Sequence, residues 1–227
     1  MNFPGLYPIR GVIQCCHLLV DDERNAVLID TGLVGEFFLL RRLLRKLELK
    51  PSDIKAILLT HGHLDHTGNL AVIRDWTGAP VYAHPAEQEH IRGTYPYQGT
   101  ARWCGRMEAI GRTILRYRPA AIDHPLSDGE QLPFWGGLQV LHLPGHTAGH
   151  CGFYSARHDL LFSGDLFASY FYSVHAPPPI LNSQPERLPA SFARVAELNP
   201  RFLLPNHYDY ADPQLHRQRF QKHFPLA

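Results

Sequence analysis

The stretch that decides the fold is Thr60-His61-Gly62-His63-Leu64-Asp65-His66, which directly follows a short apolar run at residues 56–59. Side chains at positions i and i+2 of an extended backbone point to the same side, so His61 and His63 are predicted to converge on one metal ion. The aspartate and the last histidine begin a predicted helix, where neighbouring side chains can face different directions, and they are candidate ligands for a second ion. A polar turn of solvated histidines is the alternative, but metal-ligand residue types rarely cluster so densely without binding a metal.

Four more apolar runs end in an acid or a histidine close to a glycine or proline. They cover residues 27–29, 138–143, 160–162 and 202–204. Short continuous apolar runs are typical of strands buried on both faces, and the glycine or proline predicts a turn at each strand end. If the strands share a sheet edge, their polar ends meet in one cleft. The candidate metal ligands are then His61, His63, Asp65, His66, His146, Asp165 and His207.

Helices are predicted between these strands. Residues 37–49 have apolar side chains at a 3.6-residue period, residues 185–198 show a similar face, and the stretch after Pro213 is also predicted to be helical. Buried strands that alternate with helices indicate a layered α/β protein with the helices outside. We predict one domain over residues 1–227, with a lid or an insertion at about residues 93–123, the least regular part of the chain.

The number of candidate ligands predicts two metal ions. A catalytic zinc usually takes three protein ligands and leaves one position for water, so seven ligands are too many for one ion. Three ligands on each ion and one shared aspartate fit two. Imidazole and carboxylate without thiolate suit Zn²⁺, and Fe or Mn remains open. Such a pair holds a bridging hydroxide, and Asp65 is predicted to serve both as ligand and in catalysis.

The composition limits the functions that remain. The chain has 227 residues, 44% of them apolar and 19% charged, which excludes a wholly disordered protein. A net charge of +1 argues against broad nucleic-acid binding, so the expected partner is a small molecule, while a homo-oligomer remains open. Four cysteines without a C-x-x-C motif, no evident signal peptide and no bilayer-length apolar run predict a cytoplasmic location without membrane contact.

These residues resemble the metallo-β-lactamase superfamily in its broad sense, and within it the glyoxalase II-like hydrolases. Five motifs along most of the chain carry the resemblance: Asp30-Thr31-Gly32, Thr60 to His66 followed by Thr67-Gly68-Asn69, Pro144 to His150, Ser163-Gly164-Asp165, and His207. True β-lactamases with this fold usually carry cysteine or serine where Asp165 stands, so antibiotic hydrolysis is not expected.

The resemblance implies an αββα sandwich with a dinuclear site between two sheets. It implies that His61, His63 and His146 bind one metal and that Asp65, His66 and His207 bind the other. Asp165 would bridge the two ions, and Asp30 would orient ligand histidines without binding metal itself.

The resulting hypothesis is a dinuclear hydrolase that cleaves a thioester, lactone or ester of a small molecule. The alternatives are a phosphodiesterase or RNA-processing nuclease, a sulfur dioxygenase with a single iron, and a binding module with a degenerate site, which the complete ligand set disfavours. An arginine-rich stretch at 92–118 is either an anion-binding lid or an ordinary surface. Candidate substrate contacts, each of which could instead pack under a loop, are Tyr170, Tyr172, His175 and Tyr208.

Overall fold

Two main sheets organise the computed structural model, which describes residues 3–94, 97, 101–209 and 212–224. The first sheet has the strand order β1 to β6: Leu6–Arg10, Cys15–Val20, Ala26–Ile29, Ile54–Leu58, Val81–Ala83 and His124–Pro125. The second has the order β13-β10-β9-β8-β7, in which β7 to β10 are Gln131–Leu132, Leu138–His142, Cys151–Ser155 and Leu160–Gly164, and β13 is Phe202–Pro205. A separate hairpin pairs β11, Ala168–Tyr170, with β12, Ser173–His175.

The helices of the described part are α1 to α7: Phe37–Lys46, Leu64–Thr67, Leu70–Thr77, Gln88–Arg92, Arg102–Ile114, Leu188–Leu198 and Pro213–His223. Helices α1 and α3 pack against the outer face of the first sheet, where Leu40 and Ile73 join the strand residues Leu18 and Leu28 in one buried cluster. Helices α6 and α7 cover the outer face of the second sheet in the same way.

Side-chain alternation along the strands produces these layers. In β2, Cys15 and Leu19 belong to the cluster between the sheets, whereas Cys16 and Leu18 belong to the cluster under the helices. Successive strand residues point to opposite faces, so a strand that is apolar at every position is buried on both. Phe153 and Phe162 of the second sheet are fully buried in the shared core. The predicted α/β class and the αββα layering are both confirmed.

Parallel strand pairs bring the polar strand ends to one edge. Strand β3 runs parallel to β4, and β10 runs parallel to β13. The residues that follow such neighbours leave the sheet side by side. A backbone hydrogen bond of 2.8 Å from Cys151 N to Thr60 O joins the two sheets at this edge. The edge is therefore where ligands from both sheets can meet.

Two sequence predictions differ from the structure in detail. Helix α1 ends at Lys46 rather than at residue 49, because Glu48 takes a left-handed conformation with φ of 53°, and Leu49 turns back into the core. The predicted lid at about 93–123 is not irregular throughout, since it contains the 13-residue helix α5. Residues 95, 96 and 98–100 of that segment lie outside the described residues.

Candidate metal centre

The loop after β4 carries the histidine cluster and is held by buried groups of α5. His63 precedes helix α2 with an extended backbone, so the loop changes from strand to helix at that residue. The Glu108 carboxylate accepts a hydrogen bond of 2.7 Å from the Leu64 N–H, and Arg112 donates one of 2.9 Å to the Gly62 carbonyl. These two bonds satisfy backbone groups that the turn would otherwise leave unpaired in the interior.

The structure brings all seven predicted ligands together. The ligand atoms of His61, His63 and His146 lie within 4.8 Å of one another, and so do those of a second group. That second group contains Asp65, His66 and His207. Their parent loops follow strands of both sheets, which explains why residues so far apart in the sequence meet.

Asp165 lies between the two groups. Its Oδ2 atom is 3.1 Å from His207 Nε2 and 3.4 Å from His66 Nε2. The same oxygen is 3.6 Å from His146 Nε2 and 3.9 Å from His61 Nε2. One carboxylate therefore faces histidines of both groups, which is the position that a shared ligand requires.

Hydrogen bonds through Nδ1 orient four of the five histidines. The partner is a side-chain oxygen or a backbone carbonyl 2.7–3.1 Å away: Thr60 Oγ1 for His61, Asp30 Oδ2 for His66, Asn182 Oδ1 for His146 and Ile13 O for His207. A fixed Nδ1 partner sets the tautomer and leaves the Nε2 lone pair available for a metal.

The donor atoms that face the centre lack protein partners. Within the described part of the chain, Nε2 of His61, His63, His66 and His146 and Oδ1 of Asp165 are buried without a hydrogen bond. Buried polar atoms are nearly always paired, so this set requires another partner. Imidazole nitrogens and a carboxylate oxygen converging on one point fit divalent metal ions.

The Asp30 carboxylate holds together the loops that carry the candidate ligands. Its carboxylate is fully buried and accepts hydrogen bonds from Thr60 N at 2.8 Å, Thr60 Oγ1 at 2.7 Å, Asn206 Nδ2 at 2.7 Å and His66 Nδ1 at 3.0 Å. Asn206 directly precedes His207, so one carboxylate connects the backbone of two ligand-bearing loops. The Asp30 carboxylate thus contacts the Nδ1 side of His66 and lies behind the candidate ligand atoms.

The electrostatics divide the histidines into two kinds. Burial, helped by the neighbouring imidazoles, holds the pKa values of His61 and His63 well below the usual range, so both are neutral. Burial also favours neutral His207, but the Asp165 and Asp65 carboxylates together outweigh burial and raise the pKa of His207 to about 10. Burial would raise the pKa of Asp165, yet His207 and His66 lower it far below its usual range. Despite burial, the Asp165, Asp65 and Asp30 carboxylates also hold the pKa of His66 well above its usual range, so His66 and His207 carry protons that a bound cation would displace.

Sequence reasoning missed two buried residues that support the ligands. Glu87 accepts hydrogen bonds of 2.7 Å from both Gly62 N and Gly149 N, so it ties the first histidine loop to the loop that carries His146. Asn182 accepts from His146 Nδ1 at 3.0 Å. Neither residue lies in a recognisable motif, and no local pattern distinguishes it from a surface polar residue.

A cavity of about 330 Å³ opens beside the ligands. It is lined by His146, Asp165, Phe167, Ala168, Tyr170, His175, Ala176, Pro177, Pro178, Leu181 and His207. Two predicted substrate contacts, Tyr170 and His175, thus line it. Tyr172 stands 91% exposed at the hairpin tip. Tyr208 is buried in the core, where its hydroxyl faces Cys15 Sγ, because successive residues near the strand end point to opposite sides.

The described residues of the arginine-rich stretch contribute nothing to the lining of this cavity. Arg112 is buried under the histidine loop, and Arg118 pairs with Asp75 at 2.7 Å. Arg102 and Arg106 are exposed on α5. Of the helices that the structure describes, none combines the length and apolar character needed to cross a bilayer.

Comparison with known proteins agrees with this geometry. Hydroxyacylglutathione hydrolase GloC of Haemophilus influenzae is 32% identical over 168 residues, which is 71% of this chain and 70% of that protein. The probable metallo-hydrolase YflN of Bacillus subtilis is 26% identical over 204 residues, covering 83% and 77% of the two chains.

Solved structures agree as well. The metallo-beta-lactamase family protein TTHA1429 from Thermus thermophilus superposes with a TM-score of 0.75 at 27% identity, over 97% of this chain and 78% of that one. The di-iron-bound form of TTHA1623 gives a TM-score of 0.69 at 30% identity, over 94% and 98% of the two chains. The sequence-family model of the metallo-beta-lactamase superfamily matches residues 10–207 of this chain. The chain therefore belongs to the metallo-beta-lactamase superfamily and is a metal-dependent hydrolase.

Proposed function

We propose that this protein is a dinuclear hydrolase that cleaves an ester-like bond, in a thioester, lactone or ester, of a small molecule. His61, His63 and His146 hold one ion, Asp65, His66 and His207 hold the other, and Asp165 bridges them. Zn²⁺ suits these ligands, and iron suits them as well.

The observation that carries the proposal is the position of Asp165 between two complete three-residue groups. Each group offers the three protein ligands that a catalytic metal usually takes. A site for one iron alone would need only one of the groups. Asp65 and the buried or half-buried His66 and His207 would then have no role as metal ligands.

The residues of the chain prepare the site for hydrolysis. Divalent ions held there would acidify a water molecule and polarise a carbonyl group. Asp30, Thr60, Asn182 and the Ile13 carbonyl fix the ligand imidazoles before any substrate arrives. Because His66 lowers the pKa of Asp65 against the effect of burial, Asp65 remains ionised and acts as a ligand.

Two features favour an ester-like bond over a phosphodiester. The relative GloC is named as a hydrolase of hydroxyacylglutathione, which is a thioester. Among the described residues, no lysine or arginine lines the cavity beside the ligands, and these are the residues that usually recognise phosphate. The cavity volume of about 330 Å³ suits a small molecule rather than a folded RNA.

A substrate panel tests the proposal. Protein loaded with Zn²⁺, and separately with Fe²⁺, is assayed on a thioester, a lactone, a lactam, a phosphodiester and a persulfide. We expect turnover of the thioester or lactone, and its loss in His146→Ala. His124→Ala is the matched control, since this histidine is exposed in β6.

Other outcomes would overturn it. Preferential cleavage of the phosphodiester indicates the nuclease alternative, and oxygen uptake with the persulfide on a single iron indicates the dioxygenase. Equal activity in His146→Ala and the wild-type protein would remove the metal centre from the reaction.

A further inference from the structure

The turn between β11 and β12 has an unusual sequence for its backbone. Phe171 and Tyr172 are the two turn residues, and their φ angles are 50° and 68°. A two-residue hairpin turn with both φ angles positive strongly favours Asn-Gly, because side chains with a Cβ crowd the left-handed conformation. Two large aromatic residues are therefore retained here against the preference of the backbone.

Core packing does not explain these aromatic side chains, although the Tyr172 ring lies 5.8 Å from the Arg219 guanidinium and the Phe171 ring lies 6.3 Å from the Tyr170 ring. Phe171 is 88% exposed and Tyr172 is 91% exposed, so neither contributes appreciably to the core. Strained positions that bring no packing are characteristic of sites that serve a ligand. The tip of this hairpin presents two rings to solvent, and Tyr170 and His175 on its two strands line the cavity wall.

The base of the hairpin is held firmly beside the metal ligands. Ser169 N donates a 2.9 Å hydrogen bond to the carbonyl of His207, and Val174 is fully buried beneath. Arg219 donates to Ser169 Oγ at 3.0 Å and forms an ion pair of 3.0 Å with Asp209, so its charge is already neutralised. The base of the hairpin thus has a fixed place next to His207, and the exposed tip extends from it.

The cavity wall under the tip is mostly apolar. Phe167, Ala168, Ala176, Pro177, Pro178 and Leu181 supply most of the lining that is not a candidate metal ligand, and the part of the chain that the structure describes adds no lysine or arginine to it. On the loop beside His207, Val12 is 83% exposed and Ile13 is 50% exposed, with the Ile13 carbonyl bonded to His207 Nδ1. An exposed apolar loop therefore lies beside His207, as the base of the hairpin does.

We propose that this cavity binds an apolar, uncharged acyl chain next to the scissile bond, and that Phe171 and Tyr172 cover the chain once it is seated. The proposal rests on the ester hydrolysis proposed above and specifies its substrate class. A carboxylate on the chain is disfavoured, because a buried charge without a partner has a large desolvation cost and the described wall offers no lysine or arginine. Covering the chain with the two rings removes its methylenes from water, which favours longer apolar chains.

Matched thioesters test the proposal. N-acetylcysteamine thioesters of acetyl, hexanoyl and adipoyl groups share one leaving group. The adipoyl chain is the hexanoyl chain with its terminal methyl group replaced by a carboxylate. We expect kcat/KM for hexanoyl to exceed that for acetyl and for adipoyl by about tenfold or more each, because the additional methylenes leave water in the first case and a charge is buried in the second.

The double variant Phe171→Asn with Tyr172→Gly removes both aromatic rings and keeps the turn. Asn-Gly is the dipeptide that the turn prefers, so the hairpin is retained and the thermal unfolding temperature should not fall. The hexanoyl-to-acetyl ratio of kcat/KM should drop by about tenfold. Phe38→Asn is the matched control, since Phe38 is a 60% exposed phenylalanine on α1, and its ratio should equal that of the wild-type protein.

A binding measurement separates this inference from the proposed reaction. Calorimetric titration with 2-octanone, compared with acetone, reports chain binding without hydrolysis. Thioester hydrolysis with an unchanged ratio in the Asn-Gly variant, or a preference for adipoyl, would overturn the inference and leave the hydrolase standing. If the wild-type protein binds 2-octanone and the variant does not, but no thioester, lactone or ester is hydrolysed, the inference stands and the proposed hydrolase is rejected. Neither binding nor hydrolysis would reject both.

Discussion

Replacing Asp30 with asparagine should destabilise both the fold and one half of the metal centre. The amide oxygen should take the place of Oδ2, which accepts from Thr60 Oγ1, His66 Nδ1 and Asn206 Nδ2. The NH₂ group then faces the Thr60 N–H, which donated to Oδ1 at 2.8 Å. A buried N–H left facing another donor costs about 2 kcal/mol. The three remaining bonds lose their charge assistance, which costs about 2 kcal/mol more.

Denaturant unfolding of the metal-free wild-type protein and variant measures this loss of stability. We expect the free energy of unfolding to fall by about 4 kcal/mol, which is a large part of the total stability of a typical domain. Affinity for the metal that involves His66 should fall by about 10–100-fold, because the imidazole loses the carboxylate that orients it. Asp75→Asn is the control, since Asp75 pairs with Arg118 only at the exposed surface. Unchanged stability and unchanged metal affinity in Asp30→Asn would refute this reasoning.

Three further predictions concern the support and the charge of the site. Glu87→Gln should weaken binding of the metal held by His61 and His63 more than binding of the other, because Gly62 N and Gly149 N donate to different carboxylate oxygens and the amide replaces one of these acceptors with an NH₂ donor. Equal weakening in metal titrations would contradict this. Since the pKa of His207 is raised to about 10 without metal, the metal-free protein carries that proton at pH 7. Metal binding should release it together with the proton of His66, whose pKa the neighbouring carboxylates hold well above its usual range despite burial, and affinity should increase as pH rises toward 10. Calorimetry in buffers of different ionisation enthalpy should detect about two protons, and none would refute the assignment. Burial raises the pKa values of Cys15 and Cys104 to about 11. Native protein should therefore resist thiol labelling at pH 7, whereas unfolded protein exposes four reactive thiols, and rapid labelling of the native protein would contradict this prediction.

The candidate ligands could be recognised in the sequence because their signal is local. An apolar strand followed by glycine or proline and then a histidine or aspartate is visible within a few residues, as at Ser163-Gly164-Asp165. Strand ends at a shared edge then bring such residues together. The same reasoning predicts the buried sheet layers, because residues 27–29 and 160–162 leave no polar face for solvent.

The supporting residues could not be predicted, because their partners are distant in the chain. Asn182 lies 36 residues from His146, and Glu87 lies 62 residues from Gly149. Each is a common surface residue type, and only the tertiary structure buries it. Nothing in the sequence before folding distinguishes these two from ordinary exposed polar residues.

Helix α5 escaped prediction for a different reason. Its buried side contains Cys104, Gly105, Glu108 and Arg112, while Trp103, Met107, Ile110 and Ile114 are exposed. A hydrophobic pattern locates a helix by assuming that the apolar face is buried. Here the buried face instead supplies hydrogen bonds to the histidine loop, so the pattern gives the wrong orientation.

The number of metal ions at which activity saturates tests the central claim most directly. Metal-free protein is titrated with Zn²⁺, and separately with Fe²⁺ under anaerobic conditions, while hydrolysis of the preferred thioester or lactone is followed. Two complete ligand groups around Asp165 predict that activity rises until two ions are bound per chain, with His207→Ala reaching saturation at one ion and at much lower turnover. Full activity of the wild-type protein at one ion per chain would contradict the dinuclear account.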